Sequence, residues 1–177
     1  MLIDERTIRQ ETLLHAAQLI MAAARTAPKS RGVDILEIQL LSNDDKNKLA
    51  SQMHVLHKEN NLSFFERDAQ NILDAGAVIL FATINKSLNL DCGYCGYPNC
   101  KSRPDNVPCA FNSTDLGVAI GSAAATASNL RIDNRIMYSA GKAALSLGLF
   151  PNCNQCFALP LSIGSKNIFV DRKYPKK

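Results

Sequence analysis

The chain has 177 residues, of which 46% are apolar and 20% are charged, with a formal net charge of +4. This length buries enough apolar surface for one core, and the scattered basic residues lack the stripe with interleaved aromatic residues that nucleic-acid binding requires. The first residues, MLIDERTIRQ, lack the basic start and apolar centre of a secretory signal. No uncharged run approaches the roughly 20 apolar residues that span a bilayer. We therefore expect a cytoplasmic protein that binds neither nucleic acid nor membrane.

The part of the chain before the cysteines predicts three helices and two strands. Apolar residues recur at spacings of three to five within 5–27, which predicts a helix that a proline ends. The short apolar run ILEIQLL at 35–41 predicts a strand. Capping signals at Ser42 and Ser63 predict the starts of two further helices. The run AVILFAT predicts a buried strand at 77–83.

The part of the chain after the cysteines predicts two helices and two closing strands. The run STDLGVAIGSAAATASNL is rich in small residues and predicts a helix with Ser113 or Thr114 as its N-cap. The run NRIMYSAGKAALSLG predicts a helix that ends at Gly148, and FALPLSI and KNIFVD predict strands. Because no repeat or linker interrupts this pattern, we expect residues 1–177 to form one α+β domain.

Four of the six cysteines fall within 18 residues and have the spacing C-x2-C-x4-C-x8-C; they are Cys92, Cys95, Cys100 and Cys109. Thiols of a cytosolic protein stay reduced, which disfavours disulfides. Structural zinc usually takes two tight cysteine pairs, whereas this block has one pair followed by two single cysteines. Gly93 and Gly96 allow positive φ, so that backbone N–H groups can turn toward sulfur. The spacing therefore favours a [4Fe-4S] cluster.

A second pair, CNQC at Cys153 and Cys156, leaves an alternative open. Paired with the first two cysteines of the block, it would give a four-cysteine zinc site and leave the last two cysteines of the block idle. If Cys153 and Cys156 do not bind zinc in this way, they are a redox dithiol, two ligands of a second metal site, or two small buried residues.

The chain resembles a prokaryotic family described as ferredoxin-domain proteins of unknown function. The resemblance rests on AARTAPKSRGVD at 23–34, ERDAQNI at 66–72, the cysteine block, DLGVAIGSA at 115–123, DNRIMYSAGKAA at 133–144 and PLSIGSKNIFVDR at 160–172. It runs along most of the chain and implies a [4Fe-4S] cluster, but the family has no assigned reaction.

The segment AARTAPKS also resembles the turn after the first helix of flavin-dependent nitroreductases. This resemblance implies an α+β fold with a nitroreductase-like three-layer arrangement of helices around a central sheet, into which a cysteine-rich loop at about 84–114 is inserted. It further implies an intertwined homodimer with FMN bound at the interface. By this analogy the flavin site would be lined by Arg25, Lys29, Ser30, Arg31, Lys166 and Arg172.

Together these features predict an iron–sulfur redox protein that acts as an FMN-dependent oxidoreductase fed through its cluster. Its partners would be a redox protein or a small-molecule acceptor. Two alternatives stay open: an electron carrier or redox sensor without flavin, and a zinc-stapled structural or interaction protein. We assign no catalytic acid or base, because the chain shows no Ser-His-Asp set, no paired-carboxylate motif and no Walker loop.

Overall fold

The computed structural model of the protein describes residues 2–170. In chain order its helices and strands are α1 (Glu5–Thr26), β1 (Leu36–Leu40), α2 (Asn43–Asn60), α3 (Ser63–Asp74), β2 (Ala77–Ile84), α4 (Ala110–Asn129), β3 (Asp133–Asn134), α5 (Tyr138–Ser146) and β4 (Cys153–Ser162). No helix within these residues combines the length and the apolarity that crossing a membrane requires.

The strands form one antiparallel sheet in the order β1-β2-β4-β3, which helices cover on both faces. Alternate residues of a strand point to opposite faces, so the buried strand β2 contributes to two cores. Val78 and Leu80 pack with α2, α3 and α5, whereas Ile79 and Phe81 pack with α1 and α4. This three-layer α+β arrangement confirms the predicted fold class.

The two ends of the sheet lead into different segments. Leu36 pairs with Thr83, which pairs with Gln155, and β2 continues from this end into the cysteines. We call it the cysteine end. Ala77 pairs with Leu161 at the opposite end. Six residues of β4, roughly 20 Å of strand, separate the two ends.

A side-chain hydrogen bond caps the start of α1 and of α2, whereas α3, α4 and α5 begin without one. The N-cap of α3 is Leu62 and not Ser63. Ser42 begins α2 as predicted, because its Oγ accepts a hydrogen bond from the N–H of Asp45 at 3.3 Å. The predicted N-cap of α4 is wrong. The helix begins at Ala110 with Cys109 as its N-cap, and Ser113 and Thr114 lie inside its first turns. Helix α4 therefore starts directly at the last cysteine of the block.

Two boundaries in the last part of the chain differ from the prediction. The helix expected from 134 begins at Tyr138, because β3 occupies Asp133–Asn134 and pairs with the end of β4. The run KNIFVD was expected to be a strand, but its described residues 166–170 form a bend followed by a turn. The Oδ1 of Asn167 accepts from the N–H of Phe169 at 3.0 Å, a local contact that competes with strand pairing.

Candidate functional site

The connection between β2 and α4, residues 85–109, carries the cysteine block at the cysteine end of the sheet. It contains one 3₁₀ turn, Cys100–Ser102. Its backbone φ is positive at Asn89, Asp91, Gly93 and Gly96. Positive φ reverses the chain locally, and glycine adopts it without a steric penalty. The connection therefore folds back on itself around its first two cysteines.

Asp91 and Cys100 are joined by two hydrogen bonds of opposite direction. The N–H of Asp91 donates to the Sγ of Cys100 at 3.3 Å, and the N–H of Cys100 donates to the Oδ1 of Asp91 at 2.7 Å. The pair closes a loop that contains Cys92 and Cys95. Hydrogen bonds to sulfur are among the contacts that set the reduction potential of an iron–sulfur cluster. The loop already holds one such bond, from the N–H of Asp91 to the Sγ of Cys100.

Cys109 is the buried member of the block and lies at the positive end of the α4 dipole. The ring of Tyr94 stacks on that of Phe111, with centroids 5.9 Å apart. Because Tyr94 lies between the first two cysteines, the stacking holds the tip of the loop against the first turn of α4.

Two buried N–H donors of this region are unpartnered. The Nδ2 of Asn112 and the Nε of Arg103 make no hydrogen bond to any part of the chain that the structure describes. Asn112 is fully buried in the first turn of α4, and Arg103 lies between the last two cysteines of the block. A buried donor without an acceptor is unfavourable by roughly 1–3 kcal/mol. Both donors suit an anionic group at this place.

The four sulfur atoms of the block do not form a ready-made site. Within residues 2–170, no three Cys, His, Asp or Glu side chains are placed to hold a metal ion. Cys92, Cys95 and Cys100 are half-buried free thiols. The soft sulfur donors and the unpartnered N–H groups nevertheless fit an iron–sulfur group in their chemistry. Metal sites commonly take their final form as the metal binds.

Cys153 and Cys156 lie in β4 and not in a loop. A bulge at Asn154 leaves Cys153 opposite Ile84 and Cys156 opposite Ala82, so that both side chains face the core under α2, α3 and α5. Burial raises the pKa of Cys153 to about 11 and that of Cys156 to about 12. Since zinc binding and dithiol chemistry need thiolates, the pair fits best as two neutral thiols, of which Cys156 is buried and Cys153 half-buried.

Two of the candidate flavin residues are engaged at the C-terminal end of α1. The Nη1 of Arg25 lies 2.6 and 2.7 Å from the carboxylate oxygens of Asp34 and also donates to the carbonyl of Leu36 at 2.8 Å. The Nζ of Lys29 donates to three carbonyls at the end of α1, and burial lowers its pKa. Both cations therefore have partners within the chain.

The next two candidates attach this end of α1 to neighbouring segments. The N–H and Oγ of Ser30 donate to the buried carboxylate of Asp115 on α4, at 3.0 and 2.7 Å. Arg31 has a positive φ of 59° and donates to the carbonyl of Leu88 at 2.8 Å. Since Leu88 belongs to the cysteine connection, the segment predicted to line a flavin contacts the segment predicted to hold a cluster.

The last two candidates do not join this group within the chain. Lys166 is exposed and follows β4 at the end of the sheet opposite the cysteine end. Arg172 lies outside the described residues. Arg25 contacts Leu36 at the cysteine end, so the strand length places it roughly 20 Å from the end that carries Lys166. As arranged in one chain, the described candidates do not fit a single flavin phosphate site.

Sequence reasoning missed three polar residues that the structure places in this region. Asp91 binds Cys100, Asp115 binds Ser30, and Asn112 is buried with an unpartnered donor. Two signals were available in the sequence. Asp91 directly precedes the first cysteine of the block, and Asn112 lies three residues after the last cysteine, in the first turn of the helix that this cysteine precedes.

Comparison with known proteins gives a family and a fold. Residues 105–172 match the model of a family described as uncharacterized proteins containing a ferredoxin domain (DUF2148). The chain is also 34% identical, over 187 residues that cover 100% of both chains, to an uncharacterized protein of Archaeoglobus fulgidus.

The solved structures similar to this chain have the nitroreductase fold. A nitroreductase of Bacteroides fragilis with bound FMN gives a TM-score of 0.62 at 13% identity, covering 92% of this chain and 83% of that one. An NADPH:FMN oxidoreductase of Vibrio harveyi gives 0.59 at 14% identity, covering 91% and 64%. Nitroreductase A of Vibrio parahaemolyticus gives 0.59 at 13%, covering 91% and 62%. The chain thus spans less than two thirds of both Vibrio proteins, and identities this low concern the fold alone.

Proposed function

Because the chain belongs to the family of uncharacterized proteins that contain a ferredoxin domain, we propose that it is a redox protein carrying an iron–sulfur cluster. We assign a [4Fe-4S] cluster to Cys92, Cys95, Cys100 and Cys109. The protein would exchange electrons with a redox partner protein or a small-molecule acceptor in the cytoplasm. Residues 1–177 would act as one domain, with the cysteine connection inserted between β2 and α4.

One observation carries this proposal. All four candidate ligands belong to the connection between β2 and α4, and this connection and the first turn of α4 also contain two buried N–H donors that have no acceptor among residues 2–170. With four thiolate ligands, a [4Fe-4S] cluster has a net charge of about −2. Neutral buried side chains would leave these donors unsatisfied, whereas an anionic sulfur group would satisfy them.

The residues around the four thiols would hold and shield the cluster. Asp91 fixes the position of Cys100, and Tyr94 holds the loop tip against α4. The N-terminus of α4 would stabilise the thiolate of Cys109 through its dipole. When bound, the cluster would supply one-electron transfer.

The spectrum of protein purified without oxygen tests this proposal. A cluster gives a brown protein with broad absorption that bleaches with dithionite, together with stoichiometric iron and acid-labile sulfide. Colourless protein that contains zinc and no sulfide would instead favour the structural or interaction protein. Protein that contains neither metal would contradict both assignments.

A flavin-dependent oxidoreductase is the second candidate, favoured by the fold and by one contact. Arg31 joins the predicted flavin segment to the cysteine connection through the carbonyl of Leu88, which would place a flavin near the cluster. Lys166 lies at the other end of the sheet, so a flavin phosphate could meet both groups of cations only across an interface between two copies. This candidate therefore requires a homodimer for FMN binding.

Light scattering on dilute protein tests the homodimer. It should give twice the chain mass of 19.3 kDa, and a monomer would remove this candidate.

A further inference from the structure

Asn112 is a fully buried amide with an unused donor. It lies in the first turn of α4, where its Oδ1 accepts a hydrogen bond from the N–H of Lys86 at 3.1 Å. Its Nδ2 is shielded from solvent and has no partner in the described part of the chain. The Oδ1 contact fixes the orientation of the amide, because reversing the amide would place two donors against each other.

The unused donor lies in the helix turn that directly follows the last cysteine of the block. Asn112 follows Cys109, the N-cap of α4, by three residues. Side chains of a helix lean toward its N-terminus, which here is Cys109. Both residues are buried, at 0% and 6% exposure. Cys109 is the candidate ligand closest in sequence to the Nδ2 donor, and the donor makes no hydrogen bond to its sulfur in the described chain.

We propose that Asn112 donates a hydrogen bond from Nδ2 to the Cys109 thiolate or to a neighbouring cluster sulfide, and thereby raises the reduction potential of the cluster. This inference depends on the proposed function. Reduction adds one electron from an external reductant, so the reduced state has one more negative charge than the oxidised state. A donor hydrogen bond is stronger to the more negative state and favours it.

Two neutral substitutions test the role of the donor. Asn112→Leu removes the donor with little change of volume, and Asn112→Ala replaces it with the residue of highest helix propensity. Both also remove the Oδ1 that accepts from the N–H of Lys86, so a spectroscopic readout is needed as well. Both variants should keep iron and sulfide at the wild-type ratio. Their midpoint potential, measured by an EPR-monitored titration with dithionite, should shift to more negative values. We expect on the order of a tenfold decrease in the ratio of reduced to oxidised cluster at fixed potential, which is about 59 mV for one electron.

A direct spectroscopic readout and a control separate this role from a structural one. Electron–nuclear double resonance of the reduced cluster, in H₂O against D₂O, should lose one exchangeable-proton coupling in the Asn112 variants. Asn106→Ala, a substitution at an exposed position of the same connection whose φ is not positive, should leave both the potential and the couplings unchanged. A loaded Asn112 variant with the wild-type potential and couplings would overturn this inference alone. Iron-free wild-type protein would overturn the proposed function itself, and this inference with it.

Discussion

Asp91 and Cys100 donate to each other, N–H to sulfur at 3.3 Å in one direction and N–H to carboxylate at 2.7 Å in the other. The contact closes the loop that holds Cys92 and Cys95. Asp91 has a φ of 47°, a left-handed conformation that Asp and Asn tolerate better than Ala. We expect Asp91→Ala to reduce the iron content of anaerobically purified protein severalfold, because it removes the acceptor and strains the turn. Asp91→Asn keeps an acceptor oxygen and should retain most of the iron.

Single replacement of each candidate ligand tests the cluster assignment. Cys92→Ala, Cys95→Ala, Cys100→Ala and Cys109→Ala should each lower the iron content from about four atoms per chain toward zero, since an iron without its thiolate is readily lost. Iron and acid-labile sulfide are measured on protein purified without oxygen.

The two cysteines of β4 provide the matched control. Cys153→Ala and Cys156→Ala should retain the wild-type iron content, because both thiols belong to the core under α2, α3 and α5. The reverse pattern, with metal lost from these two variants and retained in Cys100→Ala and Cys109→Ala, would support zinc bound by two cysteine pairs.

The buried thiol of Cys156 should make the free energy of unfolding depend on pH above about 9. Burial raises the pKa of Cys156 to about 12 from an ordinary value of 9.0. Below pH 9 the thiol is protonated in the folded and the unfolded chain, and the full stability is present. Between pH 9 and pH 12 the unfolded chain releases the proton that the folded chain keeps, so stability falls as pH rises.

Urea unfolding at pH 7.5 and at pH 10 measures this effect. Cys156→Ala lacks the thiol, so it should lose about 1.4 kcal/mol less stability than the wild type over this interval. Cys153 is present in both proteins, and because its charge adds to the raised pKa of Cys156, the comparison measures Cys156 together with this interaction. An equal loss in both proteins would show that Cys156 titrates normally in the fold.

Close contact between α5 and β4 makes Gly141 a position where only glycine fits. An added Cβ would lie 1.9 Å from the carbonyl oxygen of Cys156 and 2.7 Å from the Cα of Phe157, which are backbone atoms that cannot move aside alone. We expect Gly141→Ala to lower the free energy of unfolding by about 3 kcal/mol. This outweighs the roughly 1 kcal/mol that alanine gains over glycine in a helix.

Gly164→Ala is the control for this substitution. Its added Cβ would meet nothing nearer than the carbonyl oxygen of Lys166 at 3.5 Å, an ordinary contact. Denaturation of this variant should match the wild type within about 0.5 kcal/mol. Equal stability of both glycine variants would mean that α5 does not pack directly on β4.

The fold could be predicted from the sequence where a single hydrophobic periodicity or a single helix-capping residue determines the local structure. Ser42 and Asp45 predicted the start of α2, and the apolar run at 77–83 predicted the central strand. The start of α4 was missed because its N-cap is Cys109, which gives no capping hydrogen bond and is not a usual capping residue. The first residues of β4 were missed because its bulge at Asn154 breaks the alternation of polar and apolar residues.

The candidate site was predictable in its ligands and not in its surroundings. Cysteine spacing is a property of the sequence, so it could be interpreted directly. The contacts of Ser30 with Asp115 and of Arg31 with Leu88 join residues that are 85 and 57 positions apart. Such pairings depend on how α1, α4 and the cysteine connection pack, which local patterns do not contain. For the same reason, the sequence could not show that Arg25 is already paired with Asp34.

Binding of FMN to the apo-protein tests the second candidate function and the role of Arg25. Its guanidinium is held by Asp34, so Asp34→Asn would free one cation for a dianionic phosphate. We expect saturable quenching of flavin fluorescence by the wild type, and binding tighter by about 1.5–3 kcal/mol in Asp34→Asn, the range of one charged hydrogen bond. Arg172→Ala, outside the described residues, should weaken binding by a similar amount.

Removing a negative charge anywhere on the protein would also favour an anionic ligand. Asp34→Asn therefore needs a control variant that has the same change of charge at another position. Asp45→Asn removes one carboxylate from the exposed start of α2, where Asp45 contacts Ser42 and Lys48. If Arg25 binds the phosphate, Asp34→Asn tightens FMN binding and Asp45→Asn does not. Equal tightening by both would reduce the effect to net charge and remove Arg25 from the flavin site. Absence of saturable quenching up to high micromolar FMN, in the wild type and in Asp34→Asn alike, would leave the iron–sulfur carrier without flavin as the function to pursue.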